Sequence, residues 1–214
     1  GVFDLGEPNG LTGDGGQFTI TASEAQTSAY PIIAKVIAGQ TIDMDMPNQT
    51  VARDYALTSP VGRTGVISPL TTIVAAKTST GMSLSQAEAE VRTQLGASGL
   101  DLFSDYVAQK STDSNYAKLH NVAAAVAVSL QNAQYLSGNQ GFAAVLADAS
   151  TRITTEVTPK LTQIKAASTP SDATALLAQT NTVSEPPLSG SNNTNNNSNT
   201  KRCLGVCISV GAVK

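Results

Sequence analysis

The sequence predicts an α+β protein: a small antiparallel sandwich-like β domain, a helical bundle, a polar linker and a solitary strand at the C-terminal end. Three observations carry this prediction. Residues 1–66 hold short apolar or alternating runs broken by Gly, Pro and Asn. From Ser68-Pro69 onward the apolar spacing lengthens to that of helices. After a tract rich in Asn and Ser, strict alternation returns. The expected units are 1–66 (β), 67–182 (helical), 183–200 (linker) and 201–214 (strand).

In the β unit, strands are expected at Gln17-Phe-Thr-Ile-Thr21, Pro31-Ile-Ile-Ala-Lys-Val-Ile37, Thr41-Ile-Asp-Met-Asp-Met46 and Asp54-Tyr-Ala-Leu-Thr58. Ser68 then reads as an N-cap with Pro69 at the first helical position, opening a helix through Lys77. A second helix is capped by Ser83 or Ser85, with Gln86 or Glu88 completing a capping box. Its apolar stripe is Leu84, Ala87, Val91 and Leu95, and Gly96 ends it. A shorter helix is expected over 100–110. Asp113 or Ser114 caps a long one from Tyr116 to about Leu136, whose Ala- and Val-rich middle suits close packing. Residues 141–167 read as mostly helical with a kink or split at Pro159, and Ser171 reads as the cap of a last helix.

The segment Lys201-Arg-Cys-Leu-Gly-Val-Cys-Ile-Ser-Val-Gly-Ala-Val-Lys214 puts Leu204, Val206, Ile208, Val210 and Ala212 on one face of a strand. Residues 184–200 are Pro, Ser, Gly, Thr and above all Asn, too polar to offset their ordering entropy. A flexible linker of that length reaches roughly 20 to 25 Å. The strand is therefore expected to dock on its own sheet or on that of another subunit. Cys203 and Cys207 would lie about 13 Å apart along an extended strand, too far for a disulfide. A turn at Gly205 would let them bond. The alternatives are free small side chains facing a sheet and a bond between subunits.

Only 14% of residues are charged, aromatics make up 4% and there is no Trp. That composition suits a secreted or surface-layer protein, and the net charge of −3 offers no basic footprint for nucleic acid. No apolar run spans a membrane, and no secretory leader is visible, so a secreted form would be a processed one. One histidine and a C-x-x-x-C spacing exclude a zinc set.

The opening Gly1-Val-Phe-Asp-Leu-Gly-Glu7 resembles the back half of a calcium loop of the type D-x-N-x-N-G-x-F-D-x-G-E. The resemblance implies Asp4 at the ninth position and Glu7 as the bidentate twelfth ligand, with Val2 contributing its carbonyl. Glu7-Pro8 through Asp14-Gly-Gly-Gln-Phe-Thr-Ile20 resembles the start of carboxypeptidase-regulatory-like or Cna-type B sandwiches of bacterial surface proteins. The segment from Thr58-Ser-Pro-Val-Gly62 to Ile67-Ser-Pro-Leu-Thr-Thr-Ile-Val74, with Gln86-Ala-Glu-Ala-Glu90 and Leu95-Gly96, is similar to a recurrent module of large secreted proteobacterial proteins. These matches cover about residues 1–110. They imply an extracellular or cell-surface role and no chemistry.

Asp43 and Asp45 share one face of an expected strand and join Asp4 and Glu7 as candidate calcium ligands, though an ordinary strand-end turn of Asp43, Asp45 and Asn48 explains them with fewer assumptions. His120 on the long helix has no G-x-S-x-G or other nucleophile motif beside it and reads as a structural histidine. Asp101, Asp105, Glu88 and Glu90 read as caps and solvated helix faces rather than as acid and base. No phosphate loop or dinucleotide fingerprint is present. The expected protein is thus no enzyme. It is an extracellular structural subunit, fimbrium-like, whose partner is a second copy of itself and whose filament or surface layer forms by strand donation. The alternative is a calcium-stabilised stalk or adhesion module that closes its own sheet.

Overall fold

The computed structural model describes residues 7–137, 142–178 and 207–210. Mixed helix and sheet are both present. The strands are β1 (Asn9–Leu11), β2 (Ile32–Val36), β3 (Tyr55–Thr58) and β4 (Cys207–Val210). The helices are α1 (Glu24–Ala29), α2 (Pro69–Ser79), α3 (Leu84–Gln94), α4 (Tyr106–Gln109), α5 (Ser114–Ser137), α6 (Phe142–Arg152), α7 (Leu161–Ala166) and α8 (Pro170–Ala178).

The helical half forms where its caps predict. At α2, Ser68 Oγ accepts from Thr71 N, the Thr71 hydroxyl answers on the Ser68 backbone, and Pro69 sits in the first turn. At α3, Ser83 and Gln86 form the same reciprocal box. Its C-terminal end is a Schellman turn: Ala97 N bonds Arg92 O at 2.8 Å and Gly96 N bonds Thr93 O at 3.2 Å. Gly96 takes φ +56° there, and a Cβ would come within 2.5 Å of Lys165 Nζ. Before Pro159 the chain relaxes into a π turn over Ile153–Val157 and then a 3-10 turn over Thr158–Lys160, which is the expected split. Leu70, Ile73, Val74, Val91, Leu95, Leu102, Leu119, Val126, Leu130, Ile153, Ile164 and Leu177 fill one core between these helices.

Several expectations need correction. The last helix is capped by Thr169, not Ser171: Thr169 Oγ1 accepts from Asp172 N and donates to Asp172 Oδ2, with Pro170 opening the helix. Of the helix expected over 100–110 only α4 forms. Asp101 and Asp105 each spend a carboxylate oxygen on a nearby backbone N–H, Phe103 and Ala108, and so end one helical start and begin another. Residues 17–21 join no ladder, and α1, capped by a Ser23–Gln26 box, follows them. Over 41–46 there is a turn and a single bridge, Ile42 to Thr50, instead of a strand.

Among the described residues the strands make one antiparallel sheet in the order β1-β4-β2-β3, and no second sheet faces it. β2 is buried at every position but Lys35. Phe18, Ile20 and Ala22 pack with Leu57 and Ile67 around Ile32 and Ala34. The alternation at 17–21 therefore records burial against the sheet and not strand pairing. Leu57 also reaches the helical core, so the sheet and the bundle share a seam at β3.

Candidate functional site

The sheet is built around a slot that its N-terminal strands leave open. β2 pairs with β3 on one side, from Ile33↔Thr58 to Val36↔Tyr55. On the other side β2 meets β4, in the register Ile32↔Val210, Ile33↔Ser209, Ala34↔Ile208 and Lys35↔Cys207. β1 closes the far side of β4 at Asn9↔Ser209, Gly10↔Ile208 and Leu11↔Cys207. Gly10 suits that position because a Cβ there would lie 3.1 Å from Thr19 O in the segment that packs behind it. β4 is therefore an interior strand, and both of its ladders are antiparallel. Between Ala178 and Cys207 run the residues 179–206, which lie outside the described structure, as do Cys203, Leu204, Val206 and Ala212. Of the expected docking residues, Ile208 and Val210 are in the paired strand.

The outer edge of the sheet is treated differently. Ala56 N donates to Gln134 Oε1 at 2.7 Å and Gln134 Nε2 donates to Ala56 O at 2.8 Å. Thr58 N donates to Thr72 Oγ1 at 2.9 Å, and Thr71 Oγ1 donates to Thr58 O at 2.9 Å. Side chains of α5 and α2 thus satisfy the outward backbone groups of β3. Arg53 lies 4.3 Å over the Tyr135 ring just before this strand.

The loop joining β2 to β3 is pinned by polar contacts. Gly39 N bonds Val51 O, Val51 N bonds Thr41 O, and Ala38 N reaches Asp54 Oδ1 at 2.6 Å. Inside the loop, Asp43 Oδ1 accepts from Asp45 N at 2.9 Å. Asp45 Oδ2 lies 2.8 Å from His120 Nε2 and Oδ1 lies 3.4 Å from Lys110 Nζ. Lys110 Nζ is also 3.3 Å from His120 Nδ1. The Tyr106 ring sits 6.0 Å from the imidazole, and burial pushes its hydroxyl far above the usual pKa while Ser68 hydrogen-bonds it. Burial also holds His120 below its ordinary value. Asp45 opposes that shift and Lys110 adds to it.

Asp43 and Asp45 do converge on one region, but Asp45 is met by two proton donors, and Ile42, Met44 and Met46 are the exposed side, with Met44 66% exposed. Glu7 lies beside β1, and Asp4 falls outside the described residues. Among the described residues no group of three or more His, Cys, Asp or Glu side chains is placed to hold a metal. The Asp45–His120 pair joins groups distant in sequence, so spacing gave no sign of it. Gln134 also escaped the sequence reading, since a glutamine near the end of an amphipathic helix carries no signal of an edge to cover. Among the described residues no helix is long and apolar enough to cross a membrane. No family model, curated protein or solved structure matches this chain.

Proposed function

We propose that this chain is a non-enzymatic structural subunit of an extracellular filament or surface layer, assembled by exchanging β4 between copies. The observation that supports the reading is the placement of β4: the last strand in sequence fills an interior position, between β1 and β2, after a long polar stretch. Such a strand gains main-chain hydrogen bonds on both sides, and the same ladders form whether it comes from its own chain or from a neighbour. Exchange into a neighbour is head-to-tail and propagates. The extracellular setting rests on composition and on the resemblance of residues 1–110 to modules of bacterial surface proteins.

A second reading is a self-contained stalk or adhesion module, stabilised by calcium at Asp4 and Glu7. The pairing of β4 with β1 and β2 of its own chain favours it. The two readings part on a cysteine test. Lys35 is exposed and is the Cα partner of Cys207. A Lys35→Cys, Cys203→Ser chain should crosslink within itself when β4 docks in cis. Splitting the pair, with Lys35→Cys, Cys203→Ser, Cys207→Ser on one copy and Cys203→Ser alone on the other, reports only exchange. The polymer reading expects a mixed disulfide dimer that grows with concentration. Complete crosslinking within single chains and none between the split copies would leave the self-contained module.

A further inference from the structure

We propose that Gln134, with Thr71 and Thr72, closes the β3 edge of this sheet to strand addition by a second copy. The inference rests on the strand-exchange reading and concerns its direction. An open sheet has two edges, and an edge of unpaired N–H and C=O groups recruits any extended chain. On β3 the outward groups belong to Ala56 and Thr58. A neighbouring antiparallel strand would offer each of them one acceptor and one donor. The Gln134 carboxamide offers that pair to Ala56, at 2.7 and 2.8 Å, from a half-buried position on α5. The Thr72 and Thr71 hydroxyls offer it to Thr58 from α2, where both threonines are fully buried. Side chains take the place of a strand at two successive outward residues. Buried polar groups left without partners are costly, which explains why a carboxamide and two hydroxyls stand where apolar side chains would otherwise extend the core.

The consequence falls on the helix-facing side of the sheet. A copy whose β4 leaves for a neighbour keeps its β3 edge sealed by its own helices, so the sheet does not extend past β3. Gln134→Leu keeps the volume and removes both hydrogen bonds. In the full chain it should expose the Ala56 amide, which then exchanges its hydrogen about tenfold faster than in the unaltered protein, as loss of one net hydrogen bond implies. It should also add an association mode, seen by sedimentation, that a peptide of residues 201–214 does not suppress. Thr72→Val should do the same at the Thr58 amide and serves as the second variant if Gln134→Leu does not fold. A folded Gln134→Leu protein with unchanged Ala56 exchange and no added association overturns the proposal. If the split-cysteine test fails while Ala56 exchange rises and the variant dimerises, the edge closure stands and only the exchange reading falls.

Discussion

Burial favours the neutral form of His120, aided by Lys110 and opposed by Asp45. Asp45 can only accept, so the imidazole carries its proton on Nε2. Nδ1 faces the Lys110 ammonium and is left to accept. A second proton on the ring would remove that acceptor and set two cations together. The charged and titratable groups around it are Asp45 and Asp43 from the β2–β3 loop and Lys110 and Tyr106 from the α4 region. The balance lowers its pKa below 6.5, with burial the largest cause. Because the unfolded chain then takes up its proton first, this contribution to stability is complete above about pH 6.5 and declines as the pH falls through the window between the unfolded and folded values. His120 is the one histidine of the chain, so the slope is assignable. Denaturant midpoints measured from pH 8 to pH 5 should fall more steeply for the unaltered protein than for His120→Gln. Parallel curves would remove the neutral-histidine account. The sequence reads His120 as a structural histidine, and the structure buries it. The sequence could not tell that its partner is Asp45, because the segment expected to be a strand over 41–46 is a turn, and that turn carries Asp45 to an imidazole far away in sequence.

At the scale of elements, the helices were legible wherever a side-chain cap and an apolar stripe agree. Ser68-Pro69 and the Ser83–Gln86 box located α2 and α3, and Gly96 located the end of α3. The same signals stand at two further helix starts. Thr169-Pro170 repeats the cap-and-proline pattern of Ser68-Pro69 and marks the start of α8, while Ser23–Gln26 repeats the capping box and marks α1. The strand errors have a different cause. Period-2 alternation reports which side chains face a surface, and Phe18 and Ile20 do face the sheet without entering a ladder. α3 gives a quantitative check, since Val91 and Leu95 are both fully buried in the core. Leu95→Ala removes a large side chain where the Schellman turn fixes the backbone, so neighbours have little freedom to close the cavity. It should cost about 2 to 5 kcal/mol. Urea unfolding that leaves the midpoint unmoved would mean that α3 does not pack as described.

At the scale of the whole molecule, β3 is the strand whose backbone the helices clamp among the described residues. β3 carries the hydrogen bonds to Gln134, Thr71 and Thr72, whereas β4 pairs only with β1 and β2. Alternation announced the last strand, but its place between β1 and β2 was not legible, because register partners lie at the opposite end of the sequence and Asn9-Gly10-Leu11 is too short to read as a strand. This arrangement separates what β4 stabilises from what the core stabilises. Removing residues 201–214 takes away both ladders of β4 and uncovers one side of β2, yet it leaves the Leu95-centred core and the β3 clamps intact. The truncated chain should therefore keep its helical circular dichroism and its main thermal transition. Its open slot should bind the 201–214 peptide one to one under reducing conditions. Ile208→Pro in that peptide should abolish binding, since an interior strand cannot spare a ladder N–H or accept the ring. Isothermal titration of the truncated chain with the two peptides reads all of this directly. Loss of the helical signal on truncation, unrestored by the unaltered peptide, would show that β4 and the bundle form a single cooperative unit, and equal binding of both peptides would show that the slot is not a strand acceptor.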